Sequence, residues 1–361
     1  MAFVSSHALG GGSERYLELL LDNLEPGWIA SVAVLQEGPF VERLRESGRP
    51  VDVVPTPERA GMLAAALPLR RALVRARPQV VHANGVKAAL AAALATAGTR
   101  LPVLWLKHDF SWDGPLARML AWRCRRVVAV SGAITTTFGP RLQHKVEVVP
   151  NGIPDLARDP EGSAAVADLV GEDGPVVLHV GRLHPAKGQL ELVEAAPEVL
   201  RHRPDARFLM VGGQDPTQLA YGRTVRTRVA ELGLQRAVTF AGHRDDALRL
   251  MSGADVMVLS SVPDERGAGK EACPFALLEA MSVQLPVVAY AAGGIPEVLG
   301  DCGRLVPEGD RASLAQAVAD LLECGPERVR AATCARDRVR RRHDLEATVA
   351  AMRVAYRETA A

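Results

Sequence analysis

Two doubly wound α/β domains in one chain are predicted by three features of the sequence. Its 361 residues exceed what one compact core organises and suit two domains of ordinary size. Short, apolar, β-branched runs alternate with amphipathic stretches along the whole length. Near the middle, the Gly-, Pro- and Asp-rich segment NGIPDLARDPEGSAAVADLVGEDGP interrupts that alternation and reads as a linker. The expected units are residues 1–152, residues 153–340, and a final helix over 341–361 that packs back towards the first unit.

In the first half the strand candidates are AFVSS, IASVAVL, VDVVP, QVVHA, PVLWLKH, RVVAVS and KVEVVP. Helical patterns such as SERYLELLLDNL and LPLRRALVRARP lie between them. In the second half the strands are PVVLHVG, ARFLMVGG, AVTFAG, DVMVLSS, LPVVAY and GRLVP. Strands this apolar belong to parallel sheets covered on both faces. Right-handed crossovers then gather the loops after each strand along one edge, where ligands bind. Two such edges facing each other would leave a cleft between the domains. The chain starts almost inside its first strand, so either that strand is short or the sequence begins downstream of its natural start.

Apolar residues make up 48% and charged residues 24%, the composition of a folded protein. Residues 1–150 hold 18 Lys and Arg against 12 Asp and Glu, whereas residues 151–361 hold 25 against 30. The first half is therefore the one to meet something anionic, such as a membrane surface or an acidic acceptor. With 4% aromatics, nucleic acid is not the expected partner. No 20-residue apolar span and no signal pattern are present. Five scattered cysteines (124, 273, 302, 324 and 334) with no CxxC pair suggest a reducing cytoplasm, with neither structural zinc nor a disulfide scaffold.

Three loops carry the chemistry. HALGGGSERY places Gly10, Gly11 and Gly12 between the first strand and helix, with Ser13 able to cap that helix. A flexible turn is the plain alternative. The pattern is not GxGxxG, which disfavours a nicotinamide or flavin. GRLHPAKG sets Arg182 and Lys187 in one loop after a strand, where two phosphates could be held by charge-assisted hydrogen bonds. KEACPFALLEA contains Glu271 in a loop, Pro274 at a helix start and Glu279 inside that helix. A carboxylate pair split in this way suits one residue on a sugar and the other on a ribose better than an acid/base pair. His108 ends an apolar strand, beside Asp109, and so points towards the ligand edge; no HxH or HxxxH pair offers a metal site.

In this order, GGGSE, KHD, AVS, VVPNGI, HVGRLHPAKG, FLMVGG, FAGHRDD, Glu271-x7-Glu279 and PVVAYAAGGIPEV resemble the retaining glycosyltransferases of family 4, which have the GT-B fold of two Rossmann-like domains. The resemblance spans nearly the whole chain. It implies an N-terminal acceptor domain and a C-terminal nucleotide-sugar domain. Arg182 and Lys187 would bind the donor diphosphate, Glu271 the donor sugar and Glu279 the ribose. Gly11 and Gly12 would face the donor phosphate and acceptor, and His108 would lie at the reacting centre. Gly181, Gly212, Arg244, Pro274, Phe275, Ala276 and Leu277 would complete the donor site. The catalytic set it implies is His108, Glu271, Arg182 and Lys187.

The resemblance further implies retention of anomeric configuration and no cofactor or metal. The donor would be a UDP-, GDP- or ADP-sugar, and the acceptor a glycan, a lipid-linked sugar or a small molecule. The place would be the cytoplasm, with peripheral contact at the inner membrane face through LRRALVRARP and RCRRVV. The chain departs from the family pattern in EACPF, in SVQLPVV, where Gln284 replaces a glycine, and in Pro154 after VVPNGI. Alternatives are a nucleotide-sugar epimerase of the same fold and a nucleotide-sugar-binding protein without turnover.

Overall fold

A computed structural model describes residues 1–56, 61–263, 269–323 and 325–361. It divides into two compact units, Met1–Gly152 with Leu345–Ala361, and Ile153–Asp344.

The first unit holds a seven-stranded sheet of β1 (Ala2–Ser5), β2 (Ser31–Val34), β3 (Val51–Val53), β4 (Val81–Asn84), β5 (Val103–Lys107), β6 (Arg126–Ala129) and β7 (Val146–Val148). Their order is β3-β2-β1-β4-β5-β6-β7, all parallel. The second holds β8 (Val176–Val180), β9 (Arg207–Val211), β10 (Val238–Gly242), β11 (Val256–Leu259), β12 (Val287–Tyr290) and β13 (Arg304–Val306), in the order β10-β9-β8-β11-β12-β13. Each strand lies within one of the runs read from the sequence, except that β4 continues one residue past QVVHA to Asn84. Every residue of β1, β2, β4, β5 and β11 is buried, as apolar strands under helices on both faces must be. Strand order reverses beside β1 and beside β8, which makes their C-terminal ends the crevices where ligands of doubly wound sheets bind.

The helix Leu345–Ala360 closes the first unit. Tyr356 is buried against Phe3, and its hydroxyl meets His82 Nδ1 at 2.6 Å. The Thr348 hydroxyl donates to the Pro150 carbonyl at 3.1 Å. The preceding helix, Pro326–Arg342, is capped at His343, and the second unit ends at Asp344, four residues beyond the boundary expected from the sequence.

Two expectations are corrected. The mid-chain segment is not a bare linker, because Gly162–Val170 is a helix. SAAVADLV is built of helix formers, and the chain before it is tied down: Asp159 N–H donates to Ser252 Oγ (3.0 Å) and Arg158 Nε to the Ser252 carbonyl (2.8 Å). The cysteines are not all unpaired either. Cys302 and Cys334 form a disulfide across 32 residues, joining the turn after the helix Ile295–Leu299 to the helix Pro326–Arg342. Spacing gives no sign of a pair made by packing, and the bridge removes the cysteine argument for a reducing compartment. Cys124 and Cys273 are buried and unbridged, and Cys324 lies outside the described residues.

Gln284 sits where the helix Phe275–Ser282 turns into β12, at φ +60°. That left-handed conformation explains why the family pattern has glycine here. Its Oε1 accepts a 3.3 Å hydrogen bond from Arg336, and its N–H donates to the Met281 carbonyl at 3.2 Å. Gln284→Gly is expected to raise unfolding stability by roughly 1 kcal/mol through relief of Cβ strain. A urea melt giving a lower midpoint for the variant would show that the Arg336 contact outweighs the strain.

Candidate active site

The loops expected to bind a donor gather at the C-terminal ends of β8 and β11. After β8 the chain runs Gly181–Gly188, with a 3₁₀ turn at Pro185–Lys187, into the helix Gln189–His202. Buried polar side chains shape this loop from beneath. His179 Nε2 donates to the Lys187 carbonyl (2.8 Å), while Gln189 Nε2 donates to the carbonyls of Gly181 (3.2 Å) and Arg182 (2.8 Å). Gly188 has φ +68°, and a Cβ there would lie 1.7 Å from the Ser260 carbonyl oxygen, so only glycine lets the loops after β8 and β11 touch.

Lys187 is ion-paired with Glu271, whose Oε1 also accepts from Ser261 Oγ at 3.3 Å. The Glu271 side chain is 14% exposed and that of Lys187 32%, so both remain reachable while shielded enough for the pairing to matter. The Glu271 backbone is fixed separately. Its carbonyl accepts from Gly294 N–H at 2.8 Å, and Gly293 packs against it where a Cβ would come within 2.3 Å. Arg182, half exposed, donates to the buried Asp215 at 3.0 Å. Burial opposes ionisation of Asp215, but hydrogen bonds from Thr217 and the Arg182 charge hold its carboxyl below the usual range.

The helix Phe275–Ser282 begins directly after Pro274. Its first amides, of Phe275 and Ala276, have no carbonyl partner within the helix, an end suited to an anion. Ala276 and Glu279 are the partly exposed positions of this helix, one turn apart on one face. Leu277 is fully buried, as are Pro274 and Phe275 nearly so. The Leu277 side chain packs in the core, because the 3.6-residue period turns it inward, and its N–H donates to the Pro274 carbonyl. Gly212 packs against the Gly181 carbonyl, where a Cβ would be 2.0 Å away, and so sets loop packing. Arg244 forms a two-pronged pair with Asp246 (2.8 and 2.6 Å).

In the first unit, the helix Gly12–Asp22 opens after Gly11, and Ser13 is not its cap. The Ser13 hydroxyl donates instead to Glu14 (2.6 Å), whose other oxygen accepts from Leu9 N–H (3.0 Å). Glu14 is buried, and burial alone would raise its pKa; the Ser13 and backbone hydrogen bonds win and lower it. A carboxylate thus already sits under the glycine loop, at the helix end where Gly11 and Gly12 were expected to face phosphate. That arrangement favours hydroxyls over phosphate beside Gly11.

His108 meets Asn84 at the same edge. Asn84 Nδ2 donates to the Ser13 carbonyl (3.0 Å), which leaves Oδ1 to accept from His108 Nε2 at 2.5 Å. Nε2 therefore carries the proton and Nδ1 is an acceptor. Burial lowers the His108 pKa to about 4 against the opposing pull of Asp109 and Glu14, so the ring is neutral. The Tyr16 ring packs edge-on at 5.2 Å.

Sequence reasoning missed Asn84, Glu14, Asp215, His179 and Gln189. Asn84 ends an apolar strand at the same edge as His108, a signal that applied to both. Asp215 reaches Arg182 from a distant loop, while Glu14, His179 and Gln189 brace their own loops through contacts that no residue pattern announces. Among the described residues, the metal-like grouping is Asp301, Cys302 and Cys334, whose sulfurs are already bonded to each other. Several arginines of the two basic stretches are also engaged: Arg75 with Asp52, Arg126 with Glu147 and Glu358, and Arg123 with the Thr96 carbonyl. No helix among the described residues is long and apolar enough to cross a membrane.

Burial of His82, His108 and His179 lowers their pKa values to about 3, 4 and 4, below the ordinary 6.5. The unfolded chain then takes up protons first on acidification. Stability is expected to be full above pH 6.5 and to decline steadily towards pH 4. A urea midpoint that stays level across that window would contradict the burial of these rings.

The fold and the loops match known proteins. Anabaena HepE, crystallised with UDP and glucose, is similar over 98% of both chains with a TM-score of 0.86 and 26% identity. Residues 10–155 match the model described as Glycosyltransferase Family 4, and residues 174–324 that described as Glycosyl transferases group 1. The chain has the GT-B fold and is similar, in both of its units, to glycosyltransferases. Among these, the GDP-mannose-dependent alpha-(1-6)-phosphatidylinositol monomannoside mannosyltransferase of Mycolicibacterium smegmatis is 33% identical over 52% of this chain and 49% of its own length. The 2-deoxystreptamine glucosyltransferase of Streptomyces kanamyceticus is 32% identical over 56% of this chain and 53% of its own. The chain thus spans about half the length of the curated relatives it matches.

Proposed function

We propose that the protein transfers a sugar from a nucleotide-sugar donor to an acceptor hydroxyl with retention of configuration and without a divalent metal. The observation that carries this reading is the Lys187–Glu271 pair, set beside Arg182 and the start of the helix Phe275–Ser282. A donor diphosphate would draw Lys187 and Arg182 from Glu271 and Asp215, freeing Glu271 to accept hydroxyls of the sugar. These cations and the helix amides would stabilise the departing charge that a metal carries elsewhere. The bond from the anomeric carbon to the phosphate oxygen breaks as the acceptor oxygen bonds to that carbon on the same face. The acceptor proton passes to the departing phosphate oxygen. His108 Nδ1 would accept from a sugar hydroxyl.

HepE was crystallised with UDP, and the mycobacterial relative is named GDP-mannose-dependent. The donor base is therefore tested directly, by incubation with UDP-, GDP- and ADP-sugars and an acceptor panel of glycosides, inositol and 2-deoxystreptamine. Acceptor-dependent nucleotide release with an α-linked product from an α-linked donor is expected, unchanged by a chelator. Isomerised sugar without nucleotide release would overturn transfer. Loss of activity with the chelator would overturn metal independence.

A further inference from the structure

Trp112 lies in the loop that follows β5, four residues beyond His108. It is 57% exposed and has φ +58°, a left-handed conformation that is a genuine outlier for a bulky side chain. Strain of this kind persists only where surroundings over-determine the backbone. Here they do. Asp109 Oδ1 accepts from the amide (3.0 Å) and hydroxyl (2.6 Å) of Ser111. Lys107, 1% exposed, donates to the Ser111 carbonyl (3.1 Å) and pairs with Asp113 (2.7 Å). The Thr137 hydroxyl holds the other Asp113 oxygen at 2.9 Å. A buried lysine is costly unless so paired, and both costs are spent on holding one indole out in water.

The loop His108–Gly114 contains two carboxylates and no Lys or Arg. That charge suits a polyhydroxylated ring, with its C–H face on the indole and its hydroxyls towards Asp109 and Asp113. It does not suit an anionic bilayer. We propose that Trp112 is an acceptor platform, stacking on the apolar face of the hexopyranose or cyclitol ring that receives the sugar. The inference rests on the glycosyl-transfer reading above and names the class of its acceptor.

The test titrates methyl α-D-mannopyranoside, myo-inositol and 2-deoxystreptamine into the whole protein and its variants by calorimetry, follows tryptophan fluorescence of the wild type in parallel, and measures donor binding by calorimetry on the same samples. At least one ring is expected to change the emission saturably. Its affinity should fall about tenfold or more in Trp112→Ala and Trp112→Gly and be largely kept in Trp112→Phe, with donor affinity unchanged. Trp112→Gly should keep or raise the melting temperature, since glycine relieves the backbone; loss of ring binding then cannot be misfolding. Ring affinities unchanged in both small variants, or no response to any of the three rings, would overturn the inference. So would binding to phosphatidylglycerol vesicles that Trp112→Ala weakens while ring binding stays intact. Failure of the transferase reading itself would appear differently, as wild-type protein that binds no nucleotide sugar.

Discussion

Lys187→Ala and Glu271→Ala are each expected to lower turnover by about 10²–10³, the loss typical of one preorganised electrostatic group. The two effects have different origins. Removing Lys187 leaves the Glu271 side chain, 14% exposed, without its cation, next to the proposed phosphate position, so donor binding and the leaving step should both suffer. Removing Glu271 leaves Lys187 free for phosphate but deprives the sugar of its acceptor group. Donor affinity should therefore fall more in Lys187→Ala, and turnover at saturating donor should fall in both. Because the groups are in contact, the double variant should be far less damaged than the product of the two. Lys187→Arg should not restore full activity, since a planar fork does not replace a point charge. Both single variants within threefold of wild type would remove the donor-site assignment.

The second large effect concerns Asn84, which acts through His108. Asn84→Leu should lower turnover by about 10², the scale for misplacing a positioned group by an ångström. Asn84→Asp is the sharper experiment. A carboxylate against Nε2 favours the imidazolium, adding to Asp109 and Glu14 and opposed by burial and by the neighbouring His82; Tyr16 packs on the ring but stays neutral. The folded pKa then rises from about 4, and as pH falls through the raised value Nδ1 gains a proton and ceases to accept. Wild-type activity should be flat down to the region of acid unfolding, whereas Asn84→Asp should show an acid limb nearer neutrality. Imidazole nitrogen shifts would report the tautomer directly. An identical pH profile in both proteins would show that Asn84 does not set the protonation of His108.

The sheets were legible because their strands are continuous β-branched runs, a signal carried by each segment alone. The same local logic failed at Gly162–Val170, where Gly, Pro and Asp on either side outweighed the helix formers between them. It failed at Cys302 and Cys334, whose pairing depends on where a helix lands 32 residues later. At the site, Lys187 and Glu271 could be read from their loops, but not that they hold each other. The supports beneath them, His179, Gln189 and Asp215, look like ordinary polar residues until the strands are placed side by side. Trp112 was passed over because its backbone strain has no signature in sequence.

The helix Leu345–Ala360 belongs to the first unit, and this fixes an order of events during synthesis. Residues 153–344 leave the ribosome before the element that buries Phe3 and His82 beneath Tyr356. The unit that is translated second can thus be complete while the first still lacks its closing helix and exposes apolar surface. A ribosome stalled near residue 344 should carry a protease-resistant second unit and a protease-sensitive first one, reversing the usual N-terminal-first sequence. Supplying the last helix as a separate peptide should then be enough to protect the first.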